Sequence, residues 1–310
     1  METSKIYAVF GNPILHSKSP QLFNSVFSAF NINALYTRIR PQSATDLVDI
    51  IKSMPISGAN ITAPYKRDVL NLVDVVALDA EKIGAINTIV NNNGRLIGYN
   101  TDHYGVTQSL KEVGIDIPNS NCLVLGGGGA ARSAVYGLSQ QGAKVFICNR
   151  TICKAKAIAD DFGCTLMDWQ EFDSTLNFDV VVSTIVPEAT PHFMDSVKFK
   201  YLLDASYKPS AVSHIAKSKK AKIVSGERWL LHQAIDAFRL FIGDNPPLEI
   251  MEKGLANRLS KSNLKILNYP SSSLIEICKL RADLIISSKG IDTATINRIT
   301  NEETRKAFGS

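Results

Sequence analysis

Cys122 to Leu138 reads CLVLGGGGAARSAVYGL: an apolar run, four consecutive glycines, then small and apolar residues at helical spacing. The pattern predicts a buried strand, a tight loop and a helix. Gly126, Gly128 and Ala131 fit G-x-G-x-x-(G/A). The first glycine makes the turn, the second lets a pyrophosphate approach the backbone, and the small third residue lets helix and strand pack closely. Gly127, Gly129 and Ala130 complete the loop. The helix start would offer free N–H groups and the positive end of its dipole to a phosphate.

The next apolar stretch, AKVFICNR (Ala143 to Arg150), ends about 20 residues on, where a ribose-reading residue belongs. An NAD site wants Asp or Glu there. This chain offers Asn149, Arg150, Thr151 and, one helical turn later, Lys154. A carboxylate would repel a ribose 2′-phosphate, whereas Arg150 and Lys154 would pair with it and Asn149 and Thr151 would hydrogen-bond it. The expected cofactor is therefore NADP. Arg132, early in the preceding helix, is expected to stack on the adenine or join the clamp. Read alone, Arg150 and Lys154 could equally be solvated ends of a strand and a helix.

Outward from this segment the chain keeps alternating. FDVVVSTIV (178–186), YLLDASY (201–207) and AKIVS (221–225) read as further buried strands, and Glu227 to Ile242 as an amphipathic helix. Toward the N-terminus, KIYAVFG, ALYTRIR and GANITAP read as strands, with helices after Ser19-Pro20 and over Thr45 to Met54. Ser19 is expected to cap the first of these helices. INTIV and RLIGYNTD read as a hairpin joined at Asn91-Asn92-Asn93-Gly94. Such alternation predicts an α/β protein: an N-terminal α/β domain with a mainly parallel sheet, and a Rossmann-like, doubly wound second domain. At 310 residues, two domains is the expectation.

The charge balance, 34 Lys and Arg against 29 Asp and Glu, is mild and scattered, so no nucleic-acid partner is expected. The N-terminus lacks a secretory pattern and no apolar run is long enough to span a bilayer, which predicts a cytoplasmic chain with no membrane partner. The five cysteines, Cys122, Cys148, Cys153, Cys164 and Cys278, show no CxxC pairing. They read as reduced thiols, and no metal site is expected.

With these motifs in hand, the chain resembles the shikimate dehydrogenases. GNPILHSKSP, GANITAPYK, GAINT and GYNTD, followed by LGGGGAAR, CNRT and DASYKP, stand in that family's order over roughly Ile6 to Ser260. The resemblance implies interconversion of 3-dehydroshikimate and shikimate with NADP, on the route to chorismate and the aromatic amino acids. It also implies a reaction in a cleft between the domains. A polyhydroxylated acid needs fixed hydrogen-bond partners, and the loops offer Asn60 among them. By the same resemblance Ser17 and Ser19 hold the substrate carboxylate, Thr62, Asn87 and Asp102 meet its ring hydroxyls, and Tyr207 and Gln233 close the site. Thr184 and Gly226 fall beside the cofactor. In isolation Ser17, Ser19 and Asn87 would each read as a helix cap or turn former.

Alcohol oxidation needs a group that takes the hydroxyl proton. His16 lies in a loop, while His103, His192, His214 and His232 are scattered, and the resemblance gives the role to Lys66, with Asp102 beside it. Taken alone, Lys66 is a lysine after a strand and Asp102 a helix cap.

The implied domains are 1–103, completed by helices in 227–262, and 104–226. Two segments depart from the family pattern: Ser183-Thr184-Ile185, where Asn-Ala-Thr is usual, and Ser225-Gly226-Glu227-Arg228-Trp229-Leu230, where Asp-Gly-x-x-Met-Leu is usual. An NAD-dependent quinate or dual quinate/shikimate dehydrogenase, and a catalytically silent binding protein, are the alternatives. The small-molecule enzyme is expected to be a monomer or homodimer. The family pattern ends near Asn263 and leaves an extension over 264–310, in which LKILNYP and SLIEICKLRADLIISS read as ordered runs that pack on the first domain, mediate assembly or remain from a fusion.

Overall fold

Residues 5–259, 265–269, 284–287 and 292–308 are described in a computed structural model. Contacts divide the chain into a first unit, Met1–Asn100 with Ala234–Ser310, and a second, Thr101–Gln233.

In the first unit β1 (Lys5–Phe10) leads to α1 (Ser19–Ala29), β2 (Ala34–Arg40), α2 (Ala44–Ser53) and β3 (Ile56–Ile61). β4 (Val75–Val76), α3 (Leu78–Ile83), β5 (Thr88–Asn92) and β6 (Arg95–Tyr99) follow. β1 pairs in parallel with both β2 and β3, which explains its unbroken apolar sequence: both of its faces are covered. The β5–β6 hairpin turns through Asn93 and Gly94, both at positive φ (52° and 91°), as a two-residue connection requires.

The same unit receives α9 (Leu248–Ala256), β13 (Ile266–Tyr269), β14 (Leu284–Ser287) and α10 (Thr293–Phe308). β14 pairs in parallel with β2, and β13 with β14, so among the described residues the sheet order is β13-β14-β2-β1-β3-β5-β6-β4. Ile285 joins the core formed by Ile6, Ala8, Phe10, Ile39 and Ile56. The extension thus packs on this unit's sheet. Of its two expected runs, residues 270–283 lie outside the described residues, and Cys278 with them.

The second unit holds α4 (Asp102–Glu112), β7 (Asn121–Leu125), α5 (Gly129–Gln140), β8 (Lys144–Cys148), α6 (Ile152–Phe162) and β9 (Thr165–Met167). β10 (Asn177–Ser183), β11 (Lys198–Asp204), α7 (Ala211–Ser218) and β12 (Lys222–Val224) complete its sheet. The order β12-β11-β10-β7-β8-β9, parallel throughout, is a doubly wound sheet whose direction of growth reverses beside β7. Ligands of such sheets bind at the carboxyl ends of the strands at that reversal. α8 (Gly226–Ile242) begins in the second unit and ends in the first, where Phe238 packs near Phe23 and Phe27. The expected α/β class with mainly parallel sheets is the one observed.

Candidate active site

The carboxyl ends of β1, β2 and β3 share one edge of the first sheet, and the loops that leave them carry the polar motifs. Ser17 Oγ donates to Ser19 Oγ at 3.3 Å. Ser19's side chain hydrogen-bonds Tyr36, whose hydroxyl donates to Asn60 Oδ1 at 2.6 Å. Asn60 Nδ2 donates to Thr88 Oγ1 at 2.9 Å, and Thr88 Oγ1 donates to Asn87 Oδ1 at 3.0 Å. Ser17, Ser19, Asn60 and Asn87 therefore stand on one continuous hydrogen-bonded row. Tyr36 and Thr88 link it, and neither was singled out in the sequence. Tyr36 fell within an apolar strand, and its hydroxyl gave no separate signal. Burial drives its phenol well above the ordinary tyrosine value, with Ser19, Arg38 and Asn60 partly opposing.

Ser19 does not cap α1. It is the helix's first residue, with Lys18 at the cap position, and its hydroxyl is engaged with Ser17 and Tyr36 instead. Arg38, 1% exposed, donates to the Ser17 carbonyl from Nε at 3.0 Å and to Gln21 Oε1 from Nη2 at 2.6 Å. Thr62 N donates to the Phe10 carbonyl at 2.9 Å, and Thr62 Cγ2 lies over Gly11 so closely that a Cβ there would collide with it. Lys66 follows three residues after Ala63; its carbonyl accepts from Ile86 N at 2.7 Å, which ties it to the segment entering Asn87.

In the second unit Asp102 is the first residue of α4 and 3% exposed. Trp229 Nε1 donates to its carbonyl at 3.0 Å, so the tryptophan that replaces the family's usual methionine holds this helix start. Three residues on, Gly105 passes so near Trp229 and Gln233 that an added Cβ would lie 2.6 Å and 3.1 Å from them. Desolvation, then the charges of Asp102 and Glu227, push the Tyr207 phenol up, although 37% of the residue stays exposed. The charge of Asp102 thus reaches Tyr207, and Gln233 packs against Gly105 of the same helix α4. Gly226 lies against the Ala205 carbonyl, 2.5 Å from where a Cβ would stand. Arg228 pairs with Glu112, its Nε donating at 2.8 Å.

A pocket of about 490 Å³ opens at the reversal point of the second sheet. Gly126, Gly127, Gly128, Asn149, Arg150, Thr151, Lys154 and Thr184 line it, all expected from the sequence. Trp169, Ile185, Val186, Ala189 and Thr190 line it too. Of these, Ile185 lay in the departing segment already noted, while Trp169 had no motif to mark it. Gly126 sits at φ 133° against Thr184, and a Cβ on Gly127 would come within 2.8 Å of Lys154 Cβ. Gly128 precedes α5, whose first turn carries no acidic residue and no side-chain cap. Open N–H groups, a glycine cradle and two cations at the far rim fit a dinucleotide bearing a 2′-phosphate. Gly129, Ala130, Arg132 and Gly226, also expected beside the cofactor, are not among the lining residues. Arg132 pairs with Asp161 at 2.7 Å and lies over the Phe162 ring, so a carboxylate and an aromatic face engage the guanidinium expected to stack on the adenine or join the clamp. Ser183 Oγ, in the segment that departs from the family, is buried with no hydrogen-bond partner among the described residues.

A parallel doubly wound sheet with this pocket, in a chain with a second α/β unit rich in fixed polar groups, defines a dinucleotide-dependent oxidoreductase of the two-domain kind. Residues 9–89 match the family described as shikimate dehydrogenase substrate binding domain, and residues 108–204 the family described as shikimate / quinate 5-dehydrogenase. The chain is 35% identical over 270 residues to a shikimate dehydrogenase (NADP(+)) of Carboxydothermus hydrogenoformans, covering 81% of this chain and 96% of that protein. It is 34% identical over 260 residues to that of Aquifex aeolicus, with the same two coverages. Among solved structures, shikimate dehydrogenase from Aquifex aeolicus superposes with a TM-score of 0.77 at 32% identity, over 83% of this chain and all of that one. The Thermus thermophilus enzyme in complex with NADP(H) and shikimate gives 0.75 at 30%, over 81% and 98%. The chain belongs to the shikimate dehydrogenase family.

Proposed function

We propose that this chain reduces 3-dehydroshikimate to shikimate with NADPH, reversibly, in chorismate biosynthesis. The observation that carries the substrate side is the hydrogen-bonded row from Ser17 to Asn87. A ring acid with several hydroxyls needs many fixed partners, and a site built to bond each hydroxyl rejects analogues that lack one. Ser17 and Ser19 take the carboxylate, while Asn60, Thr62 and Asn87 take ring oxygens, and Tyr207 and Gln233 enclose the substrate. Gly126 to Gly128 with the start of α5 hold the pyrophosphate, and Arg150 and Lys154 hold the 2′-phosphate.

Bound NADP(H) supplies the hydride exchange. Lys66 takes the hydroxyl proton as the hydride leaves the carbon and returns it in reduction; Asp102 accepts a hydrogen bond from the same hydroxyl and orients it. We assign substrate binding to 1–103 with 227–262 and dinucleotide binding to 104–226. The reading carries a cytoplasmic chain, monomeric or homodimeric. Initial rates with shikimate and quinate, each against NADP and NAD, test it. Fastest turnover of shikimate with NADP is expected; faster turnover of quinate with NAD refutes it.

A further inference from the structure

The relatives align over nearly all of their own length yet over only 81% of this chain, and the family's motifs end near Asn263. Beyond that point stands a carboxylate with a defined task. Glu303, on α10, is 0% exposed. Its Oε1 accepts from Ile14 N at 3.0 Å and from Arg40 Nη1 at 2.9 Å; its Oε2 accepts from Ile14 N and Leu15 N, both at 2.9 Å. Glu302 meets Arg40 Nη2 at 3.2 Å. Ile14 and Leu15 are themselves buried, and the Ile14 carbonyl accepts from Ser17 N at 2.9 Å to close the turn.

One end of the turn is therefore fixed by Glu303 and the other by Arg38, which grips the Ser17 carbonyl. Packing alone does not call for this arrangement, since Leu284, Ile285 and Ile286 already seat the extension on the sheet through buried apolar side chains. A buried carboxylate aimed at consecutive backbone N–H groups adds what apolar contact lacks, a defined direction. We propose that Glu303 is a positioning residue of the substrate site: the C-terminal extension, through this carboxylate, sets where the Ser17 and Ser19 hydroxyls stand. It thereby sets the affinity for the substrate's carboxylate. The proposal rests on the assignment of Ser17 and Ser19 as substrate-binding residues.

Three full-length variants test it: Glu303→Ala, Glu303→Gln and, as a control for lost stability alone, Val180→Ala in the buried core of the second unit. Glu303→Ala is expected to raise KM for shikimate about tenfold, the scale of one lost charge-assisted hydrogen bond, with kcat and the KM for NADP little changed. Glu303→Gln, which keeps one acceptor oxygen, should fall between Glu303→Ala and the parent. Val180→Ala should lower the melting temperature and leave KM for shikimate alone. Amide exchange at Ile14 and Leu15 should accelerate in both Glu303 variants. If those variants lose stability yet keep the parent's KM for shikimate, or leave the exchange at 11–18 unchanged, the proposal is overturned. A parent chain that does not turn over shikimate sinks the activity reading instead, and the exchange measurement still decides whether Glu303 sets the loop.

Discussion

The guanidinium of Arg38 grips the carbonyl of Ser17 with two hydrogen bonds, from Nε at 3.0 Å and from Nη2 at 2.5 Å. A lysine in its place would keep the charge but lose the fork that spans Ser17 and Gln21. Arg38→Lys should leave a buried acceptor short of a donor, at about 1–3 kcal/mol. The expected result is a lower melting temperature and a several-fold higher KM for shikimate, measured by calorimetry and initial rates. A change confined to the KM for NADP would contradict the proposed use of this loop.

Lys66 is the proposed proton acceptor, so Lys66→Ala should remove most of the turnover and little of the binding. A loss in kcat of about 10² to 10⁴ is the usual scale for a general acid–base group. Shikimate binding should remain measurable by titration calorimetry. Turnover close to the parent's would strip Lys66 of the role.

Arg150 and Lys154 rim the pocket beside Asn149 and Thr151. If they pair with a 2′-phosphate, replacing both by alanine should cut kcat/KM for NADP by about 10- to 100-fold, on the scale of charge-assisted hydrogen bonds in partly solvated settings. Rates with NAD should change little. Equal losses with both cofactors would point to a general effect on the pocket.

At Gly126 the backbone is left-handed and Thr184 Oγ1 occupies the space a side chain would need. Thr184 cannot retreat freely, because its own amide and hydroxyl each donate to the Leu125 carbonyl at 2.9 Å. Gly126→Ala should therefore both destabilise the chain and weaken NADP binding, visible as a lower melting temperature and a higher dissociation constant. A variant with unaltered NADP affinity would mean that this turn does not form the cradle.

Cys122 and Cys148 sit in adjacent strands, where burial, helped by the charges of Asp179 and Asp168 respectively, pushes both thiols up to about 12. The folded chain keeps protons that an unfolded chain releases above about pH 8.5. Their contribution to stability is thus complete below that pH and lost as pH rises toward 12. Denaturation midpoints should fall across that range, and less so in Cys122→Ala than in the parent. Alkylation at pH 8 should label exposed Cys153 and spare Cys122 and Cys148; labelling of all three at one rate would contradict their burial.

Much of the fold was legible because its signals are local. KIYAVF, ALYTRIR and KVFIC are strands within a residue or two of where their apolar runs place them, and the Asn93-Gly94 turn announces its own geometry. The glycine loop was legible for the same reason. What escaped depends on pairings that sequence distance hides. Tyr36 and Thr88 enter the polar row only because β2 and β5 flank the central strands, and Trp169 reaches the pocket from the end of β9. The pairing of Arg132 escaped notice too, because its carboxylate, Asp161, lies two turns along another helix. Glu303 is the extreme case, 289 positions from Ile14.

The first unit is discontinuous, interrupted at Asn100 and resumed at Ala234. During synthesis the inserted unit can complete its sheet as soon as β12 emerges, since every strand it needs lies between Asn121 and Val224. The first unit must wait for the residues that resume it at Ala234. β14 and Glu303 follow the inserted unit along the sequence, so β2 stays unpaired on that side until they emerge. An interrupted or clipped chain would hold a finished nucleotide domain beside an unfinished partner, a species exposing a strand edge and prone to aggregate. α10 therefore acts as a completion mark for the first unit, and a chain lacking it would miss the anchor of the loop after β1 however well its other half had folded.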